Sequence, residues 1–154
     1  MKELVEKLIK LNKTISTMES CTGGGVANVI TNIEGASEVL KFSAVTYSNE
    51  FKIKMGVNPK VIEKYSVYSM ETAHEMSKSI SMFTSSDYGI GITGKLNRVD
   101  INNPYGKDNI VYISIFDRNN EKHNDFILEA TKSTRKENKE LVIKKIIIEL
   151  MKLL

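Results

Sequence analysis

The segment TISTMESCTGGGVANVI, residues 14–30, sets Ser20, Cys21 and Thr22 ahead of a run of glycines, where a strand-like pattern gives way to a helical apolar one. In open α/β sheets, ligands bind beyond the carboxyl ends of strands. A helix starting there presents unpaired N–H groups and the positive end of its dipole. Ser20 stands at that point, and Gly23, Gly24 and Gly25 carry no side chains to keep a ligand from the backbone. The arrangement suits a bound phosphate, the oxyanion of an acyl-transfer intermediate, or a glycine-lined turn with Ser20 as a helix cap. It is neither a Walker A loop nor G-x-G-x-x-G, so those nucleotide fingerprints are excluded. Cys21 is a rival nucleophile that needs a cationic partner; a small buried residue is the better reading of it.

A second cluster, VTYSNEFKIK (45–54), follows the next strand-like run. Tyr47 closes that run and Lys52 falls about one turn into a short helix. If the two strands are neighbours, a phenol and an amine reach the same sheet edge as Ser20. A serine needs a base to become a nucleophile, and a lysine serves only when burial or nearby cations keep it neutral. Tyr47 is then placed to hold Lys52 or relay a proton. The bland alternative is a surface lysine beside a half-buried tyrosine. His74, in a helical pattern, and His123, beside a charged turn, read as surface residues. With Cys21 the lone cysteine and no carboxylate cluster, no metal site is expected.

The elements that must position these groups follow from periodicity. Apolar residues from Leu4 to Leu11 share one helical face over 2–12. Strands are expected over 14–18, 41–47, 88–93, 110–116 and 123–130, the last two as a hairpin around Asn119-Asn120. Helices are expected from the glycine run to Thr31, from Ser48 or Asn49 to Gly56, from Pro59 to Tyr65, and from a Ser69 cap to Phe83. A final helix is striped by Val142, Ile143, Ile146, Ile147, Leu150, Leu153 and Leu154. The glycines of YGIGIT (88–93) invite close backbone approach, and 94–108 reads as a polar loop. Strands alternating with helices imply a layered α/β sandwich, and the closing hairpin a mixed sheet.

Composition bounds the rest. A chain of 154 residues, 41% hydrophobic, is one domain able to bury a core unaided. The lone cysteine fits a reducing, cytoplasmic setting. The start MKELVEKLIKLNK is no signal peptide, and no apolar run approaches ~18 residues, so no membrane span is expected. Beginning at Met1, the chain is expected to stand alone. A net charge of +3 permits an anionic ligand without demanding nucleic acid. The basic stretch 132–145 is interrupted by Glu137 and Glu140, which argues against DNA binding.

Taken together, ESCTGGGVANVITNIEGASEVL, VTYSNEFKIKMGV and SVYSMETAHEM resemble the C-terminal domain of the competence/damage-inducible protein CinA, a family that includes stand-alone nicotinamide-nucleotide amidohydrolases. The resemblance is dense over 17–92 and spans nearly the whole chain. It implies a single-domain, three-layer α/β/α sandwich that hydrolyses the carboxamide of nicotinamide mononucleotide to the acid and ammonia, without metal or other cofactor. It implies Ser20 as nucleophile, Lys52 as base and Tyr47 as its partner. It further implies an oxyanion and substrate site around Thr22, Gly23, Gly24 and Asn49, with Thr93 near the reacting centre. Arg135, expected before the last helix, would contact phosphate or carboxamide. The expected partners are a pyridine nucleotide and further copies of the same chain. One departure stands out. After Thr93-Gly94 the family continues with a Gly/Pro-rich loop, whereas this chain reads KLNRVDINNPYGKDN. Ser133-Thr134 likewise replaces a Gly-Asp. A loop poor in glycine cannot trace the same backbone, so the alternative is an inactive nucleotide- or protein-binding homologue with an altered 95–108 loop.

Overall fold

The computed structural model describes residues Met1–Leu154. Helix α1 (Lys2–Lys10) leads into strand β1 (Ile15–Glu19), and the glycine run opens α2 (Gly25–Thr31). A short α3 (Ala36–Val39), absent from the sequence expectations, precedes β2 (Leu40–Val45). Then come α4 (Asn49–Lys54), α5 (Pro59–Tyr65), α6 (Met70–Thr84), β3 (Tyr88–Gly94), the hairpin of β4 (Ile110–Asp117) and β5 (Lys122–Glu129), and α7 (Arg135–Leu153). The local signals act as their chemistry dictates. The side chains of Ser48, Asn58 and Ser69 accept backbone N–H bonds as caps of α4, α5 and α6, and Pro59 opens α5.

The sheet runs β2-β1-β3-β4-β5. β1 is parallel to β2 and β3, β3 is antiparallel to β4, and β4 to β5, so the sheet is mixed as expected. Alternation assigns the faces. Ile90, Ile92, Val111, Ile113 and Ile115 point to one side, where they pack with α1, α2, α3 and α7 in the main core. On the other side Met18, Met76, Ile80 and Val57 form a smaller core beneath α5 and α6. The result is three layers, α/β/α.

The last helix begins earlier than its apolar stripe suggests. Thr134 caps it through Glu137 N–H while Glu137 caps Thr134 N–H in return, so Arg135 is the first residue of α7 rather than a residue ahead of it.

The glycines of β3 set the depth at which α6 docks. A Cβ on Gly91 would lie 2.6 Å from Ser77 N and collide with Ala73 O, and one on Gly89 would lie 2.7 Å from the Ser81 side chain. Both obstacles are α6 backbone or short side chains that cannot swing away. Gly91→Ala is therefore expected to destabilise the fold by about 1–3 kcal/mol through overpacking, read as a lower urea midpoint at unchanged m-value. An unchanged midpoint would show that α6 is not held this close.

Candidate active site

Ser20 follows the last residue of β1, and its position is fixed from both sides of the strand. Its own N–H donates to Ile92 O of β3 (3.1 Å), while Thr46 N–H donates to Glu19 O (2.9 Å) and ties down the chain leaving β2. Because β1 and β2 are parallel neighbours, the segments after them emerge at the same sheet edge, where the expected pairing of serine and amine depends on them. Lys52, on α4, turns inward and is only 1% exposed. Its Nζ donates to Thr46 O at 2.7 Å and lies 3.3 Å from Ser20 Oγ. No carboxylate contacts this amine. Burial lowers its pKa from 10.5 to about 8, against a weaker opposing pull from Cys21 and Asp100.

The glycine turn is built differently from a free anion cradle. Gly23 and Gly24 adopt left-handed backbone (φ +62° and +84°), which a side chain would strain. Gly23 N–H is spent on Ser20 O (3.0 Å), closing the turn. The start of α2 is occupied from within: the fully buried Glu19 carboxylate accepts from Val26 N–H (3.1 Å), Ala27 N–H (3.0 Å) and the Thr17 hydroxyl (3.2 Å). Glu19 thus satisfies the helix end that sequence reasoning left open for a ligand. The legible signal was a carboxylate just before a helix start. The N–H groups of Cys21, Thr22 and Gly24 donate to no other residue. Thr22 is fully buried, and its hydroxyl has no partner.

A pocket of about 680 Å³ opens above Ser20, and Tyr47, Asn49, Tyr68, Arg98 and Arg135 are among its walls. Tyr47 is 63% exposed, and its phenol oxygen accepts from Arg135 (2.9 Å) rather than engaging Lys52. Arg135 also donates to Leu96 O (2.7 Å), so it straps α7 across the pocket to Tyr47 and the loop after β3. Asn49 donates to Asn103 Oδ1 (2.8 Å) in that loop. Thr93 is fully buried, and its hydroxyl donates to Val67 O (2.8 Å), an anchor between β3 and the segment before α6. Of the residues expected at the site, Thr22, Gly23, Gly24, Thr93 and Lys52 do not line this pocket, and Lys52 reaches it through Ser20. Burial pushes the Cys21 thiol up to about 12, which fits a packing residue and not a thiolate nucleophile.

The divergent loop is folded around a second amine. Lys95, 3% exposed, donates to Pro104 O (3.3 Å), Gly106 O (3.2 Å) and Asp108 (3.2 Å). Further out, Asp100 accepts from the Tyr68 hydroxyl and from Asn103 (2.9 Å), facing the pocket. His74 and His123, expected at the surface, are instead half-buried and stacked on each other, away from this pocket.

The profile of the CinA C-terminal domain matches residues 1–154. A CinA-like protein of Kosmotoga olearia is 44% identical over 96 residues, and one of Desulforapulum autotrophicum 42% over 93. These stretches cover 61% and 60% of this chain but only 23% and 22% of those relatives. Among solved structures, the competence/damage inducible protein CihA from Agrobacterium tumefaciens superposes with a TM-score of 0.86 at 24% identity, over 99% of this chain and 94% of that one. The competence-damaged protein (CinA) superfamily protein from Escherichia coli gives 0.86 at 23%, over 99% and 87%. At such identities the structural matches establish a shared fold, and the profile match over the full length establishes kinship: the chain belongs to the CinA C-terminal domain family.

Proposed function

We propose that this protein is a metal-independent serine amidase acting on the carboxamide of a pyridine nucleotide, nicotinamide mononucleotide in the first instance. The observation that carries the proposal is the buried Lys52 amine 3.3 Å from Ser20 Oγ. A neutral Lys52 keeps its N–H bond to Thr46 O and turns its lone pair to Ser20, whose hydroxyl then donates to it. Ser20 Oγ attacks the amide carbon as its proton passes to Lys52. The negative oxygen is stabilised by the N–H groups of the turn that have no partner in another residue, beginning with Cys21, which lines the pocket beside Ser20. Lys52 returns the proton to the leaving nitrogen, and ammonia departs from an acyl-Ser20. Water then attacks, giving its proton to Lys52, and the carboxylic acid is released with Ser20 restored. The pocket volume suits a mononucleotide. Arg98 and Arg135 supply positive charge for its phosphate, and Asn49 and Asn103 supply amide groups for its polar edges. Tyr47 acts through Arg135, as a positioning group.

The test is ammonia release from nicotinamide mononucleotide. Ser20→Ala is expected to lower the rate at least roughly a thousandfold. Because the base works only when neutral, kcat/KM is expected to climb roughly tenfold per pH unit below the Lys52 pKa of about 8 and level off above it. Equal rates for wild type and Ser20→Ala would remove Ser20 from the chemistry. The altered 95–108 loop, with Asp100 facing the pocket, favours a second reading in which the site binds without turnover. Tight calorimetric binding of the nucleotide with no ammonia from the wild type would select it.

The base assignment has a signature in stability as well. Lys52 titrates near 8 when folded and near 10.5 when unfolded. Below pH 8 both states are protonated and the cost of burying the ammonium is fully present. Between the two values the unfolded chain binds more protons, so stability rises with pH, by about 3 kcal/mol in all. Measured against Lys52→Met, in which this titration is absent, the wild type should gain about that much from pH 8 to 10.5. A flat difference would mean that the amine titrates as if solvated.

A further inference from the structure

On the α6 face of the sheet, outside the pocket lining, three metal-ligating side chains converge. β5 carries His123 and Asp125 two residues apart, and a strand puts such residues on the same face. α6 brings His74 over them. The imidazoles are stacked with centroids 4.2 Å apart and planes at 25°, and His74 Nε2 lies 2.6 Å from Asp125 Oδ2. One ligating atom from each residue falls within 4.8 Å of the others. His123 is held from behind: its Nδ1 lies 3.0 Å from Ser114 Oγ and 3.4 Å from Ser77 Oγ, and its ring tilts against Phe116 at 4.8 Å. Its Nε2 has no hydrogen-bond partner and is free to act as a ligand.

We propose that His74, His123 and Asp125 form a site for a borderline divalent transition-metal ion, zinc above all, that clamps edge strand β5 to helix α6. Two imidazoles and a carboxylate form the donor set that zinc and its neighbours prefer over magnesium or calcium. Bonds of about 2.0–2.1 Å in a tetrahedron put ligand atoms roughly 3.3 Å apart. The His74–Asp125 pair therefore opens by roughly 0.7 Å as the bridging proton leaves, and the widest pair closes by about 1.5 Å. Both shifts lie within side-chain rotation, since His74 and Asp125 are each about one-third exposed. Anchoring His123 through Nδ1 is the outer contact that orients a ligating imidazole. The other nearby charges acting on His123, Lys78 and Glu75, have opposite signs and offset each other. With three protein ligands, the fourth position is left to water. β5 is paired only through β4, so a bond to α6 fastens the free edge of the sheet.

The experiment uses the full chain, without a histidine tag and stripped with chelator, titrated with zinc by calorimetry and with cobalt(II) by visible absorption. The expected result is a single saturable zinc site, a tetrahedral cobalt spectrum, and a melting temperature that rises with zinc. Affinity should fall at least roughly tenfold in each of His74→Gln, His123→Gln and Asp125→Asn, while Ser20→Ala binds as the wild type does. Circular dichroism checks that each variant is folded, and the partly exposed Asp125→Asn keeps the test decisive if a histidine variant is not. An absence of saturable binding, or binding that persists in all the folded variants, would overturn the site and leave a stacked His–Asp pair of purely structural use. Neither result depends on whether the protein is an amidase.

Discussion

Taking an amine out of water next to an alcohol is the constraint on which this site depends. Lys52 receives one backbone carbonyl and one hydroxyl in exchange for its hydration shell, and no carboxylate. Such an environment penalises the ammonium, and the amine yields by titrating lower. The position is imposed by the fold, not by the side chain. α4 starts where Ser48 caps it, one segment after β2, and β2 is hydrogen-bonded in parallel to the strand that ends at Ser20. Had β1 and β2 been separated by another strand, the same residues would lie too far apart to share a proton. On the proposed reading, Lys52 trades stability for reactivity, as sites whose chemistry needs an uncomfortable charge state do.

Glu19 shows how the surrounding backbone is held ready. Helix α2 is only seven residues long and could not persist by itself. A buried carboxylate that accepts two of its first N–H groups completes it and fixes its distance from β1. The amides left without a partner in another residue are those of Cys21, Thr22 and Gly24 in the turn between Ser20 and α2, Gly23 N–H being bonded to Ser20 O. An oxyanion held there meets N–H dipoles aimed by the turn, while the helix end behind is neutralised by Glu19. On the proposed reading, electrostatic help comes from a few oriented amides more than from a macrodipole.

The elements were readable wherever one local rule governed. Pro59 after Asn58, Ser69 before an apolar stripe, and the Asn119-Asn120 turn each determine their own neighbourhood, and the structure follows them. The start of α7 was equally local but was missed, because the apolar stripe begins at Val142 while the helix is set by the Thr134-x-x-Glu137 box. Other features were long-range and had no local signal. That Tyr47 turns to Arg135, 88 positions away, follows from the start of α7 lying at the pocket. That His74 meets His123 follows from α6 lying against the β4–β5 hairpin. Periodicity assigns a residue to a face but not to a partner on another element, so both histidines read as solvated from sequence alone. The spacing of His123 and Asp125 was visible, yet only the fold supplies the third ligand.

The loop after β3 brings these threads together, because the protein buries two lysines and uses them in opposite ways. Lys95 has an acceptor for each of its three N–H groups, a carboxylate among them, and the chain from Pro104 to Asp108 wraps around it. Such a centre organises a loop that has few glycines of its own: carbonyls turn inward to the ammonium, and the side chains between them turn outward. Leu96, meanwhile, is drawn into the main core. What faces the pocket is then a polar rim of Arg98, Asp100, Asn102 and Asn103, tied to α4 through Asn49 and to Tyr68 through Asp100. A glycine-rich loop would present backbone N–H groups to a ligand, whereas this one presents side chains with both signs of charge. Selectivity at such a rim follows from which ligand leaves none of these groups unpaired. An anionic group must find Arg98 while staying clear of Asp100, and a hydroxyl-bearing sugar can satisfy both Asp100 and the asparagines. On the proposed reading, the two buried amines divide the work: Lys52, short of acceptors, sits against Ser20, and Lys95, fully satisfied, shapes the pocket rim.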